Sequence, residues 1–175
     1  RFQIGNAVAR SKLFRHYFLG RGRTFDLARE GLLNEFRRTN SVKSAVDQFQ
    51  FSIERAIDSK ARSALSGNAK RVRDERISYD THIPYDVTRS GPQMLPIGNG
   101  NLRCSAKGNI VYDTQNSRYQ YLVYLTFKVR DAFVDARDIH DSQPGNQELP
   151  MGRPFSIVAS WQKEIGKQVN LQQRR

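Results

Sequence analysis

Between residues 119 and 131 the chain alternates without a break. Tyr119, Tyr121, Val123, Leu125, Phe127 and Val129 share one face, and Gln120, Leu122, Tyr124, Thr126, Lys128 and Arg130 the other. A period of two in residues of this kind specifies a β-strand with one face in a core. Such a strand obliges the rest of the chain to supply neighbouring strands and an apolar cover. Asp131 falls in phase with the apolar face, so it is expected to emerge at the rim of the core.

The cover is legible upstream. In 41–66, Val42, Ala45, Val46, Phe49, Ile53, Ala56, Ile57, Ala61 and Leu65 form a stripe at i, i+3, i+4 spacing, the mark of an amphipathic helix. Ser41 is placed as its N-cap and Gly67 as its stop. Residues 5–20 predict a basic helix that ends at Gly20 and Gly22. Residues 24–39 predict a brief strand or turn and then a helical segment. After residue 67, prolines and turn residues among short apolar runs predict loop with one or two short strands. "NLRCSAKGNIVYD" (101–113) predicts a strand, a Lys-Gly turn and a second strand. "TQNSRYQ" predicts a turn, and "PFSIVASWQ" (154–162) a further strand.

Helices first and strands after predict an α+β fold with an antiparallel sheet or partial β-barrel. The 175 residues suit a single domain, mainly helical over 1–67 and mainly β over 68–175. No apolar run reaches the roughly 20 residues of a membrane-spanning helix. Cys104 is the only cysteine, which excludes an internal disulfide and a paired-cysteine metal site. The chain begins at Arg1, which reads as a processed or C-terminal piece of something longer, with any targeting segment outside it. The net charge of +12 implies an anionic partner: nucleic acid, phospholipid or a phosphorylated substrate.

Against that charge, "RDAFVDARDIHD" (130–141) is conspicuous. It gathers Asp131, Asp135, Asp138, Asp141 and His140 in a chain with 17 acidic residues and three histidines. Crowded carboxylates are kept ionised by a bound cation or by basic neighbours. Carboxylate oxygens without thiolates favour Mg²⁺, Mn²⁺ or Ca²⁺. His140 brings a proton carrier for neutral pH. An EF-hand is excluded, since no glycine occurs between 131 and 144. Asp131, Asp135 and Asp138 at i, i+4, i+7 also fit a solvated helix face paired with Arg130 and Arg137. From the residues alone, both readings stay open.

"FRHYFLGRG" (14–22) resembles the "AHYLWGNG"-type segment of the colicin M family of bacteriocins. The active-site motif of that family, Asp-x-Tyr-Asp, five residues, then His-Arg, follows a strand. Here "YQYLVYLTFKVR" is followed by "DAFVDARDIHD", with Asp131 and His140 at the same separation of nine. "GNGNLRCSAKGNIVY" resembles the hairpin before that motif. Phe133 stands at the tyrosine, Val134 at the second aspartate and Asp141 at the arginine. "FKVRDAFVDARDIHD" with "PFSIVASWQ" is also similar to terminal domains of type VI secretion effectors.

The resemblance implies a colicin M-type fold and an interbacterial toxin. It implies hydrolysis of lipid II, the undecaprenyl-pyrophosphate-linked peptidoglycan precursor, in the target's periplasm after secretion or injection. Mg²⁺ is the implied cofactor. Asp131 would be metal ligand or water-orienting base, His140 general acid/base, and Asp135 the second carboxylate and metal ligand. Arg130 or Arg137 would hold the pyrophosphate. A cognate immunity protein is the expected partner, and the protein acts as a monomer without nucleic acid. A metal-dependent nuclease toxin and a non-enzymatic membrane-acting domain are the alternatives.

Elsewhere the ordinary readings lead. His16 is a packed helix histidine, His82 lies on a loop, "GRGR" (20–23) and "IGNGN" (97–101) are turns, and "KRVRDER" (70–76) is a solvated charge run. Trp161 belongs to the core or the sheet surface, and the face from Tyr119 to Phe127 to the core.

Overall fold

A computed structural model describes residues 2–66, 72–86, 99–133 and 152–171. Three helices and five strands follow in the order α1 (Phe2–Leu19), β1 (Phe25–Asp26), α2 (Leu33–Arg38), α3 (Asn40–Leu65), β2 (Val72–Asp86), β3 (Asn99–Asp113), β4 (Arg118–Phe133) and β5 (Phe155–Asn170). The class is α+β, as the order of patterns predicts. The sheet runs β1-β5-β4-β3-β2. It is mixed rather than purely antiparallel, because β1 pairs parallel to β5, with Phe25 opposite Ile157 and Asp26 opposite Val158. β3 and β4 are joined by residues 114–117 alone, a connection that only antiparallel neighbours admit. Asp113 organises that turn: its carboxylate accepts from Asn116 N–H (3.1 Å), Asn116 Nδ2 (2.7 Å) and Arg118 Nε (2.9 Å).

Two compact units divide the chain. One comprises Arg1–Val46, His82–Leu102 and Lys128–Ser160; the other Asp47–Thr81, Arg103–Phe127 and Trp161–Arg175. In the first, Leu13, Tyr17, Phe25, Leu27, Leu32 and Phe36 are fully or almost fully buried. Thr39 makes the corner between α2 and α3. Its extended backbone ends α2, its hydroxyl donates to Phe36 O (2.8 Å), and its carbonyl accepts from Lys43 N–H (2.9 Å). In the second unit, Phe49, Ile53, Ile57 and Ala61 of α3 are buried, and Phe49 meets Phe127 edge-on at 5.9 Å. Trp161 stacks on the same Phe127 ring at 5.4 Å.

Five sequence expectations change. Ser41 lies inside α3 rather than capping it, because its hydroxyl accepts from Asp86 N–H (2.7 Å) and so serves a tertiary contact. The stretch expected as loop with one or two short strands contains β2, a single strand of 15 residues, and His82, expected on a loop, is an exposed strand residue within it. Its polarity disguises it: β2 is an edge strand, where charged side chains and Pro84 are tolerated. The Lys107-Gly108 turn is absent, since β3 runs unbroken from Asn99 to Asp113. Gly108 is there because β4 leaves no room for a side chain: a Cβ would stand 2.7 Å from Val123 Cα and closer still to Leu122 O. Asn99–Asn101, expected as part of a turn, opens β3. β5 continues well past residue 162, to Asn170.

Candidate functional site

Asp131 sits near the end of β4. Alternation is retained there: Val129 and Phe133 are buried, Arg130 and Ala132 exposed, and Asp131 half-buried on the apolar face. The core does not stop at the carboxylate but continues one step beyond it. Phe133, at the place of the motif's tyrosine, stacks on Phe155 at 5.0 Å and meets the Tyr17 edge at 5.7 Å. Phe133 is therefore a wall of the first unit's core, which holds the strand end in place.

Burial pushes the Asp131 carboxyl above its ordinary range, and the donated Ala132 N–H (2.8 Å) only partly offsets this. A carboxyl with a raised pKa on an otherwise apolar strand face is a recognised mark of a functional site. Two strands away, on β2, Tyr85 is 3% exposed, and its ring meets the Phe36 edge at 5.5 Å. Its hydroxyl is buried and has no hydrogen-bond partner among the described residues. Leaving such a group unpaired costs about 1–3 kcal/mol. Burial first, and then the charge of Asp131, raise the phenol pKa, so the hydroxyl keeps its proton. Between them in the sheet lies Gly100 of β3, where a Cβ would come within 2.7 Å of the Tyr85 hydroxyl.

Of the residues singled out by sequence, Asp131 is thus placed as expected by strand phase. Arg130 occupies the opposite, exposed face of β4 and does not share that face with Asp131. Asp135, Arg137 and His140, with Asp138 and Asp141, lie outside the described residues. Among the described residues no group of three His, Cys, Asp or Glu side chains converges as a metal cage. Asp131 remains a hard-oxygen donor of the sort Mg²⁺ takes singly or in pairs, with water completing its shell.

The "FRHYFLGRG" segment is architectural. Tyr17 is fully buried, and its carbonyl accepts from Arg153 N–H (3.1 Å). His16 Nε2 lies 2.6 Å from Arg23 O, and its ring meets Phe155 and Phe25 edge-on. The 20–23 turn uses the Gly20 and Arg23 N–H groups in its own hydrogen bonds, to His16 O and Gly20 O. Both agree with the packed-histidine and plain-turn readings. The Cys104 thiol is buried and pushed up to about 12, chiefly by desolvation, which makes it a poor nucleophile.

Sequence reasoning passed over Tyr85 and Gly100. The available signal was the period of two over Ile77, Tyr79, Ile83 and Tyr85, masked by Asp, His and Pro at neighbouring positions. No protein-family model, curated protein or solved structure matches the chain. No described helix is long and apolar enough to cross a membrane.

Proposed function

We propose that this chain is a colicin M-type antibacterial toxin domain that hydrolyses the undecaprenyl-pyrophosphate linkage of lipid II. The observation that carries the reading is Asp131: a half-buried carboxyl with a raised pKa at the end of a core strand. It stands directly before the sequence that holds Asp135, Arg137 and His140. The +12 charge suits a pyrophosphate substrate at an anionic bilayer surface.

In this reading Asp131 takes a proton from water as the water oxygen attacks phosphorus. The P–O bond to the undecaprenyl group breaks, its electron pair leaving on the undecaprenyl oxygen. His140, as imidazolium, protonates that oxygen, and undecaprenol and the pyrophosphorylated disaccharide-peptide result. The proton on Asp131 returns to His140 through solvent, which restores both groups. Arg137 is the proposed pyrophosphate holder, since Arg130 lies on the face of β4 opposite Asp131. Mg²⁺, held by Asp131 and Asp135, would supply charge neutralisation at the pyrophosphate. The toxin acts in the target's periplasm as a monomer, after secretion or injection, and an immunity protein protects the producer.

Radiolabelled lipid II tests this directly. Wild type should release the pyrophosphorylated headgroup in a Mg²⁺-dependent manner, and Asp131→Ala and His140→Ala should each abolish release and killing. Full activity in both variants would sink the assignment. The same charge also favours a nuclease toxin. Degradation of plasmid or RNA, with killing only on cytoplasmic expression, would move the function to that class.

A further inference from the structure

The Tyr85 hydroxyl is the one buried, unpartnered side-chain polar atom among the described residues. A phenylalanine would fill the same place without that penalty, so the hydroxyl calls for a partner that the described residues do not provide. Three features bear on its identity. The phenol is held rigidly, with its ring packed against Phe36. Gly100 keeps the space beside the hydroxyl free of a side chain. The half-buried Asp131 acts electrostatically on the same phenol from β4.

We infer that the Tyr85 hydroxyl and the Asp131 carboxylate together hold one water molecule, and that this water is the nucleophile of the hydrolysis. Its role as nucleophile rests on the reading of the chain as a hydrolase. The chemistry selects the ligand. A protonated phenol donates, and a carboxylate accepts. An oxygen that satisfies both must carry a lone pair and a proton, as water does. A phosphoryl oxygen would accept from Tyr85 but be repelled by Asp131. Tyr85 therefore orients the water while Asp131 accepts its proton. The oxygen then joins phosphorus as the P–O bond to the undecaprenyl oxygen breaks, with the leaving oxygen protonated as above. Buried waters with two or more polar partners are regular parts of folded structures.

Tyr85→Phe is the test, because it keeps the ring and removes only the hydroxyl. Crystal structures of the whole chain at high resolution should show an ordered oxygen within hydrogen-bond reach of both Tyr85 Oη and Asp131 in wild type. That oxygen should be missing from Tyr85→Phe. The variant should unfold at no lower temperature than wild type, yet its kcat on lipid II should fall roughly 100-fold, the cost of a misplaced reacting group, with little change in KM. No shared oxygen in wild type, or one that persists in Tyr85→Phe, overturns the inference. So does an unchanged kcat in a protein that hydrolyses lipid II. If the oxygen behaves as expected but wild type leaves lipid II intact, the water site stands and the lipid II reading fails.

Discussion

Gly108→Ala separates a continuous β3 from a hairpin at Lys107-Gly108. The added methyl would stand 2.7 Å from Val123 Cα and 3.0 Å from Leu122 C, where ordinary contacts begin at 3.4 Å. Leu122 O stands closer still, so relief needs a shift of more than roughly 0.7 Å (3.4 − 2.7) between the backbones of β3 and β4. All three obstructing atoms, Leu122 O among them, are main chain, so no side chain can swing aside. Overpacking of this sort costs about 1–3 kcal/mol, and each ladder hydrogen bond weakened adds about 0.5–1.5. The expected loss is about 2–4 kcal/mol, read from urea unfolding followed by circular dichroism. Gly31→Ala is the control. It has φ +74 and nothing within 4 Å of the added Cβ, so it carries only the left-handed backbone penalty of about 1–2 kcal/mol. A loss for Gly108→Ala no greater than that of Gly31→Ala would refute the close strand approach.

Asp131→Asn should raise the melting temperature at pH 7 and leave it unchanged near pH 3. Burial raises the folded-state pKa of Asp131, so its ionised form costs stability as pH rises through that value, and the cost vanishes below the ordinary carboxylate range. Equal shifts at both pH values would contradict this. Glu75 has the opposite sign. Lys60 (2.8 Å) and the Tyr112 hydroxyl (3.0 Å) hold its carboxylate below its ordinary pKa. Its contribution is present above about pH 4.5 and is lost as pH falls through the depressed value, so Glu75→Gln should flatten the acid limb of stability against pH. Trp161→Ala removes an 8%-exposed indole stacked on Phe127 and should cost about 3–5 kcal/mol in guanidinium unfolding. A loss under about 1 kcal/mol would show that the ring is not core.

Legibility followed the strength of the burial pattern. α3 and β4 each bury one face and expose the other, so their periods stand out, and the buried Phe49, Ile53 and Ile57 lie on the stripe read from sequence. β2 was hidden because an edge strand pairs on one side only and tolerates Pro84 and several charges, which in isolation look like loop. β3 was read as two pieces because glycine marks turns and close backbone approaches alike, and only the position of Leu122 and Val123 tells them apart. Ser41 was misassigned because a serine before a helical stripe is a good cap unless a distant N–H, here that of Asp86, claims its hydroxyl. In the candidate site, strand phase placed Asp131 correctly. Tyr85 escaped notice because its partner strand and its unsatisfied hydroxyl are nonlocal facts.

Sequence by itself determined the α+β class, the faces of α3 and β4, and the emergence of Asp131 on the apolar side of its strand, since all three follow from local periodicity. Tertiary structure decided the rest: the parallel pairing of β1 with β5, the unbroken β3, the close approach of Gly100 to the Tyr85 hydroxyl, and the order β4-β3-β2 that puts β3 between the strands of Asp131 and Tyr85. These depend on which residues far apart in the chain exclude one another's volume and water, and periodicity within a single segment carries no record of that.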